Sequence, residues 1–352
     1  MNILLITRPL SPPWNEGGKN LAYNLARNIN NHKIHILVRE DFNESLSENI
    51  IPHKVFPSEE KFNLSYLEKL KVFLFLLEIK DIDVFHFIYT PERYSSFINR
   101  ILIKLKKVKS IQTLPTRIEK ILNLKRLIFA DKIVTISEFT KNKLLENKIK
   151  NVVKINTGID VDYFKPIKKI NSNKTIILIP MELENKKSRI LVLKLIRELK
   201  NIKNVLFHLV YRHKDEINEE KYIKNFLLNL ESAKNVSFKK NKDIRQLISN
   251  ADFVFYPRVN TEKKHEIPMI LLECMAMEKP IIIWDIPPFN EIIDNEGIKV
   301  KSFIESKEAI IKLIENKKLR ESYGKLSRKK VIKDFNIKDT TKEYEKLYKN
   351  FN

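Results

Sequence analysis

Two adjacent glycines, Gly17 and Gly18, stand between an apolar run and an amphipathic stretch. Glycines at such a turn let the backbone approach a ligand closely. They also leave N–H groups at the start of the following helix, where phosphate is attracted. The pair does not have the G-x-G-x-x-G spacing, so a plain tight turn is the alternative reading. A second constellation is cationic. Residues 100–126 carry nine basic side chains (Arg100, Lys104, Lys106, Lys107, Lys109, Arg117, Lys120, Lys125, Arg126) and one acid, Glu119. Within it Ile101, Leu102, Leu105 and Val108 recur on one helical face. That is the pattern of a helix resting on an anionic membrane, or of a packed helix with a solvated basic face. The seven histidines show no metal-ligand spacing such as H-x-x-x-H, and no metal is implied.

The elements that position these groups alternate between two periods. Apolar strands are expected at 2–8, 33–38, 84–88, 110–113, 132–136 and 152–156. Between them, helices are expected at 19–30, 64–79, 94–107, 117–130 and 137–147. After a polar linker at 166–173 the alternation restarts. Strands at 175–179, 205–210, 236–239, 253–256 and 280–284 are separated by helices at 187–199, 221–230, 243–249 and 267–276. Residues 307–352 read as three helices, broken near Gly324 and Phe335. Strand–helix–strand alternation implies parallel sheets with helices on both faces. The expected fold is therefore α/β, with two Rossmann-like doubly wound domains and ligands outside the carboxyl ends of their strands.

Three segments carry a family resemblance. The first joins Ala130–Glu138 to Lys154-Ile155-Asn156-Thr157-Gly158-Ile159-Asp160; here Gly158 is expected to allow a sharp strand exit and Asp160 to cap the turn. The second is Ile177–Ser188, similar to a strand followed by G-R-x-x-x-x-K-G. The third, His265-Glu266-Ile267-Pro268-Met269-Ile270-Leu271-Leu272-Glu273-Cys274-Met275-Ala276-Met277-Glu278-Lys279-Pro280-Ile281-Ile282, resembles E-G-x-P-x-x-L-L-E-A-M-A-x-G-x-P-V-I. Together they resemble the retaining glycosyltransferases of family four. That resemblance implies the GT-B architecture, in which two Rossmann-like domains face a cleft. Residues 1–165 would form the acceptor-side domain and residues 166–335 the nucleotide-sugar domain, with a helix at about 336–352 packing back on the first.

The resemblance also implies roles. Glu273 would hold the ribose hydroxyls of the donor, since a carboxylate accepts two hydrogen bonds from a diol. Lys187 would neutralise the departing diphosphate. Gly17, Gly18, Ile267 and Pro268 would line the donor, and His86 matches a frequent family histidine. Several positions depart from the pattern. His265 stands where the motif has a carboxylate; either Glu266, one residue on, substitutes through a shifted loop, or His265 makes a different sugar contact. Glu182 stands in place of the arginine, so that Lys186, Arg189 or Arg258 would have to supply the charge. Pro115 stands where a histidine often follows the strand at 110–113, and Glu278 replaces a glycine. These departures leave a second reading open, a degenerate non-catalytic GT-B binding subunit.

Bulk composition narrows the field. A chain of 352 residues with 43% hydrophobic residues is long enough for two cores. One cysteine, Cys274, cannot form an internal disulfide, which fits a reducing cytoplasm. The first ten residues do not read as a signal peptide, and no apolar run is long enough to span a bilayer. The net charge of +22 accompanies heavy use of Lys, Ile and Asn throughout. No nucleic-acid-binding module is recognisable, so nucleic acid is not expected as a partner. The expected partners are a nucleotide-sugar donor, a glycan or lipid-linked acceptor, and an anionic membrane surface at 100–126. The expected location is cytoplasmic, peripheral at the inner membrane face, with no cofactor beyond the donor substrate.

Overall fold

The computed structural model describes residues 1–12, 14, 16–58, 64–116, 124–170, 172–183, 185–211, 216–230, 235–240, 244–259 and 265–351. The chain divides into two compact units. Unit 1 comprises Met1–Asp160, Glu262–Ile267 and Phe335–Asn352; unit 2 comprises Val161–Thr261 and Pro268–Asp334.

Unit 1 is built on seven parallel strands: β1 (Asn2–Ile6), β2 (Lys33–Arg39), β3 (Ile50–Phe56), β4 (Val84–Ile88), β5 (Lys109–Leu114), β6 (Lys132–Thr135) and β7 (Val152–Lys154). Their spatial order is β3-β2-β1-β4-β5-β6-β7. The helices are α1 (Gly17–Asn28), α2 (Tyr66–Glu78), α3 (Arg93–Lys106), α4 (Leu124–Leu127) and α5 (Glu138–Glu146), joined by the late helix α12 (Ile337–Lys349). Successive side chains of β1 point to opposite faces, as strand geometry requires. Ile3 and Leu5 pack with α1 and α12, while Leu4 and Ile6 pack with Leu76 of α2 and Leu102 of α3.

Unit 2 holds six parallel strands: β8 (Thr175–Met181), β9 (Val205–Tyr211), β10 (Val236–Lys240), β11 (Phe253–Phe255), β12 (Ile281–Trp284) and β13 (Ile298–Val300). Their order is β10-β9-β8-β11-β12-β13. Its helices are α6 (Lys186–Leu199), α7 (Glu216–Leu228), α8 (Ile244–Asn250), α9 (Met269–Ala276), α10 (Phe303–Glu315) and α11 (Lys317–Asp334). Each sheet therefore reverses direction once, between β1 and β4 in unit 1 and between β8 and β11 in unit 2.

The helix starts follow the capping residues. Ser137 accepts a hydrogen bond from Thr140 N at the start of α5, Asn185 accepts from Ser188 N at α6, and Ser302 accepts from Glu305 N at α10. Ser65 and Glu68 form a reciprocal capping box at α2.

Several sequence expectations are corrected. Strands β3 and β13 were not anticipated. Gly324 does not break a helix: it lies inside α11, where a Cβ would come within 2.2 Å of the Glu278 carbonyl oxygen. The break falls instead at Asn316, between α10 and α11. Gly158 serves close approach rather than a left-handed turn, since no glycine has positive φ and a Cβ there would meet Ile337 Cα at 2.6 Å. Of the helix expected at 117–130, only α4 is seen, and residues 117–123 lie outside the described residues.

Candidate functional site

In unit 2 three of the candidates, Glu182, Lys187 and Arg258, follow the carboxyl ends of strands. Glu182 follows β8 and Arg258 follows β11, the two neighbours at which the sheet changes direction. A crevice opens at such a switch point because the connections leave it on opposite sides. The Arg258 guanidinium is buried and donates to the Glu182 carboxylate. The departure at Glu182 and one of the cations expected to compensate for it thus form one arrangement, in which an arginine from the neighbouring strand meets the carboxylate that stands in place of the expected arginine. Lys186 and Lys187 are exposed in the first turn of α6, directly after β8. Arg189 is held otherwise: it donates to the Leu183 carbonyl and lies over the Tyr222 ring, 4.4 Å from its centroid.

Helix α9 is set by Pro268, which is buried at its N-cap with φ −63°. Its residues Met269, Leu271, Leu272, Cys274, Met275 and Ala276 are buried. Glu273 and Ile270 are the two partly exposed side chains of the helix, so the carboxylate stands on its open side. Glu278, just past α9, adopts φ 59°, the left-handed region that the motif's glycine takes without strain.

Unit 1 collects the remaining candidates. Gly17 begins α1, and a Cβ on it would lie 2.6 Å from Cδ2 of His265. The imidazole therefore packs against the bare backbone at the helix start. A Cβ on Gly18 would meet Pro115 Cγ at an ordinary 3.6 Å. The His265 Nδ1 lies 2.7 Å from the Ile267 carbonyl oxygen. A carbonyl only accepts, so Nδ1 carries a proton. Backbone contacts fix this segment: Thr116 and His265 form an antiparallel bridge, and Glu266 N donates to Pro115 O at 3.0 Å. A histidine remote in sequence thus stands beside residues 115–116, where the strand itself provides none.

Glu266 is turned into the protein. Its carboxylate is fully buried and accepts from Ser137 Oγ at 2.6 Å and from Thr140 Oγ1 at the start of α5. A helix N-terminus favours an anion, so Glu266 fastens residues 265–267 to unit 1. His86 is likewise buried. Its Nδ1 lies 2.7 Å from the Tyr348 hydroxyl and its Nε2 2.7 Å from Thr113 Oγ1, which in turn lies 3.0 Å from the Tyr344 hydroxyl. Burial lowers its pKa to about 3, so the ring is neutral. This network ties α12 to β4 and β5.

The basic stretch at 100–126 is not a uniform patch. Arg100 donates to the carbonyls of Lys125, Arg126 and Ile128, closing the end of α4. Lys106 donates to the carbonyls of Leu77 and Ile79 at the end of α2. The four apolar residues expected on one outer face are also divided: Leu102 is buried, Ile101 and Leu105 are exposed, and Val108 lies beyond the helix. Arg117, Glu119 and Lys120 lie outside the described residues.

Comparison with known proteins bears on this geometry. Residues 160–330 match the family described as glycosyl transferases group 1. The match spans nearly all of unit 2 and includes Glu182, Lys187, Arg258 and Glu273. An uncharacterized glycosyltransferase of Methanocaldococcus jannaschii is 28% identical over 240 residues, covering 63% of this chain. The aligned region spans 60% of that relative's length.

Among solved structures, a glycosyltransferase from Rickettsia africae superposes with a TM-score of 0.77 at 19% identity, covering 99% of this chain and 98% of that one. Sucrose-phosphate synthase from Thermosynechococcus elongatus gives 0.82 at 14% identity, covering 99% and 98%. Anabaena HepE, solved in complex with UDP-glucose, gives 0.74 at 13% identity, covering 99% and 100%. At these identities the likeness establishes the fold: it is GT-B, with two Rossmann-like units. The group 1 match supports a glycosyltransferase.

Proposed function

We propose that this chain moves a glycosyl unit from a nucleotide-sugar donor to an acceptor hydroxyl, with retention at the anomeric carbon, in the synthesis of a glycan, glycolipid or cell-surface polysaccharide. The observation that carries this reading is that Arg258 and Lys187 follow the carboxyl ends of β11 and β8, and Glu273 stands on the open side of α9, within the residues matched to the group 1 family. In the transfer, the bond from the anomeric carbon to the diphosphate oxygen breaks and a bond to the acceptor oxygen forms. The acceptor proton leaves with the diphosphate.

The leaving group gains charge, and cations fixed near it stabilise the transition state more than the ground state. Lys187, exposed at the start of α6, and Arg258 at the switch point supply that charge. Glu273 accepts hydrogen bonds from the ribose diol. In unit 1, Gly17 and Gly18 present the N-terminus of α1, and the His265 ring beside them offers a polar group to a sugar hydroxyl. HepE, of the same fold, binds UDP and UDP-glucose, which supports a nucleoside-diphosphate sugar as donor class. The reading assigns no metal and no organic cofactor, and its setting is the cytoplasm, where Cys274 remains a buried free thiol.

A thermal-shift panel of nucleotide sugars tests the donor, because a ligand that binds only the folded state raises its stability. The stabilising donor is then supplied with acceptors and product formation is followed. Glu273→Gln is expected to weaken donor binding by about 1–3 kcal/mol in calorimetry. Donor binding with no turnover on any acceptor would favour the non-catalytic binding subunit. No stabilisation by any nucleotide sugar would end both readings.

A further inference from the structure

Large apolar side chains are exposed together on α2 and α3. On α2 these are Tyr66, Leu67, Leu70 and Leu74; on α3 they are Tyr94, Phe97, Ile101 and Leu105. Tyr66 is 87% exposed, Leu67 79%, Phe97 59% and Leu105 64%. The spacing on α3 runs i, i+3, i+7, i+11, one continuous stripe, while Ser96, Asn99 and Leu102 on the opposite side are buried.

Both helices lie on the same face of the unit 1 sheet, since Leu76 of α2 and Leu102 of α3 join the cluster formed with Leu4, Ile6, Phe85 and Phe87. Lys106, near the end of α3, closes the C-terminus of α2, which fixes the two helices side by side. The outer sides of both helices therefore carry exposed apolar side chains on the same side of the sheet. Exposed apolar side chains gathered in this way mark a contact with another molecule or with lipid.

We infer that α2 and α3 dock unit 1 on an anionic bilayer, with the aromatic and leucine side chains entering the interface and the basic groups meeting lipid phosphates. Charge decides between lipid and a second copy of the chain. The sequence of α3, RYSSFINRILIKLK, has four basic residues and no acid. Of these, Arg93 and Lys104 are exposed beside the stripe. On α2, Lys69 and Lys71 are balanced by Glu68 and Glu78, and Lys71 pairs with Glu40, so the positive charge comes from α3. Two α3 faces in a chain of net charge +22 repel each other, whereas an anionic headgroup layer attracts them.

A groove of about 410 Å³ along α2 adds a second feature. Its lining is mostly apolar, with Leu67, Leu70 and Leu74 beside Lys54, Lys71 and Glu78, and suits acyl chains. No helix among the described residues is long and apolar enough to cross a membrane, so the contact is interfacial.

The test is sedimentation of the full chain with vesicles of phosphatidylcholine alone or mixed equally with phosphatidylglycerol. The protein is expected to sediment with the mixed vesicles, to remain in the supernatant with the neutral ones, and to be released by salt. Leu70→Gln combined with Leu74→Gln, Phe97→Gln and Leu105→Gln changes only exposed side chains and is expected to lower sedimentation roughly tenfold. Arg93→Gln with Lys104→Gln is expected to lower it on mixed vesicles alone. Circular dichroism establishes that the variants are folded. Equal sedimentation of wild type and the four-site variant would overturn the inference. So would a wild-type protein that ignores mixed vesicles, including one that light scattering shows to be a dimer and the variant a monomer. Vesicle binding is read without donor or acceptor, so its outcome is independent of the transferase reading.

Discussion

Arg258 and Glu182 come from residues 76 apart and pair at the carboxyl ends of β11 and β8, where the unit 2 sheet reverses direction. Arg258 is only 4% exposed and Glu182 is partly open. Removing the acid leaves a buried cation short of a partner, which costs more than loss of a surface pair. Glu182→Ala is expected to lower stability by about 1–3 kcal/mol, the lower end reflecting solvent near the carboxylate. The urea midpoint reads this directly. Adding Arg258→Met to Glu182→Ala is expected to restore part of the loss. A Glu182→Ala midpoint equal to wild type would show that the pair does not hold Arg258.

Lys187 is exposed, so its removal leaves little packing to lose. Lys187→Ala is expected to lower turnover by about 10²-fold while leaving the thermal midpoint unchanged. If turnover is instead unaffected, the diphosphate charge is met by Arg258 without it.

Gly17 and Gly18 differ in what lies above them. Gly17→Ala forces the His265 ring to move, because the added carbon falls 2.6 Å from it; Gly18→Ala meets Pro115 at van der Waals distance. Displacement of a positioned group by about 1 Å costs up to about a hundredfold in rate. Transfer by Gly17→Ala is expected to fall at least about tenfold and transfer by Gly18→Ala to stay near wild type. Equal behaviour of the two variants would remove His265 from the site.

His86 links stability to pH. Its folded pKa of about 3 is below the unfolded value of about 6.5, so the unfolded chain binds the proton more readily. The stabilisation is complete above pH 6.5 and is lost as pH falls toward 3, by at most about 1.4 kcal/mol per pH unit. His35, stacked on His53 and lowered to about 4, acts in the same direction. Urea unfolding of His86→Gln between pH 7 and pH 4 is expected to show a lower plateau and a flatter acid limb. An acid limb as steep as wild type would place the sensitivity elsewhere.

What the sequence disclosed follows the range of the interactions. Helix α9 and its neighbours are legible because Pro268, the apolar run and Glu273 lie within a few residues of one another. The alternation of strand and helix is legible because buried parallel strands are nearly all apolar. Strand β3 is not, since it is an edge strand whose Pro52 and Lys54 face outward and interrupt the apolar run. The pairing of Arg258 with Glu182, and of His265 with Gly17, has no local signature. A wrong-sign residue at 182 and a missing histidine near 115 were the visible halves of each, and their partners arrive through the fold. Gly324 has the composition of a helix stop, yet it lies within α11 because the Glu278 carbonyl must come close.

The return of α12 to unit 1 has a consequence for how the protein is made. A ribosome that has delivered residue 160 has supplied all seven strands of the first sheet but not α12, which shares with α1 the cover of one of its faces. His86 and Thr113 wait, with apolar β1 beside them, until all of unit 2 has been threaded out and Tyr344 and Tyr348 emerge. Unit 2 can collapse while unit 1 is still incomplete, so the later domain in sequence is the earlier one to close. During that interval the part of the face that α12 will cover is an aggregation hazard, and a nascent-chain chaperone would find its target there.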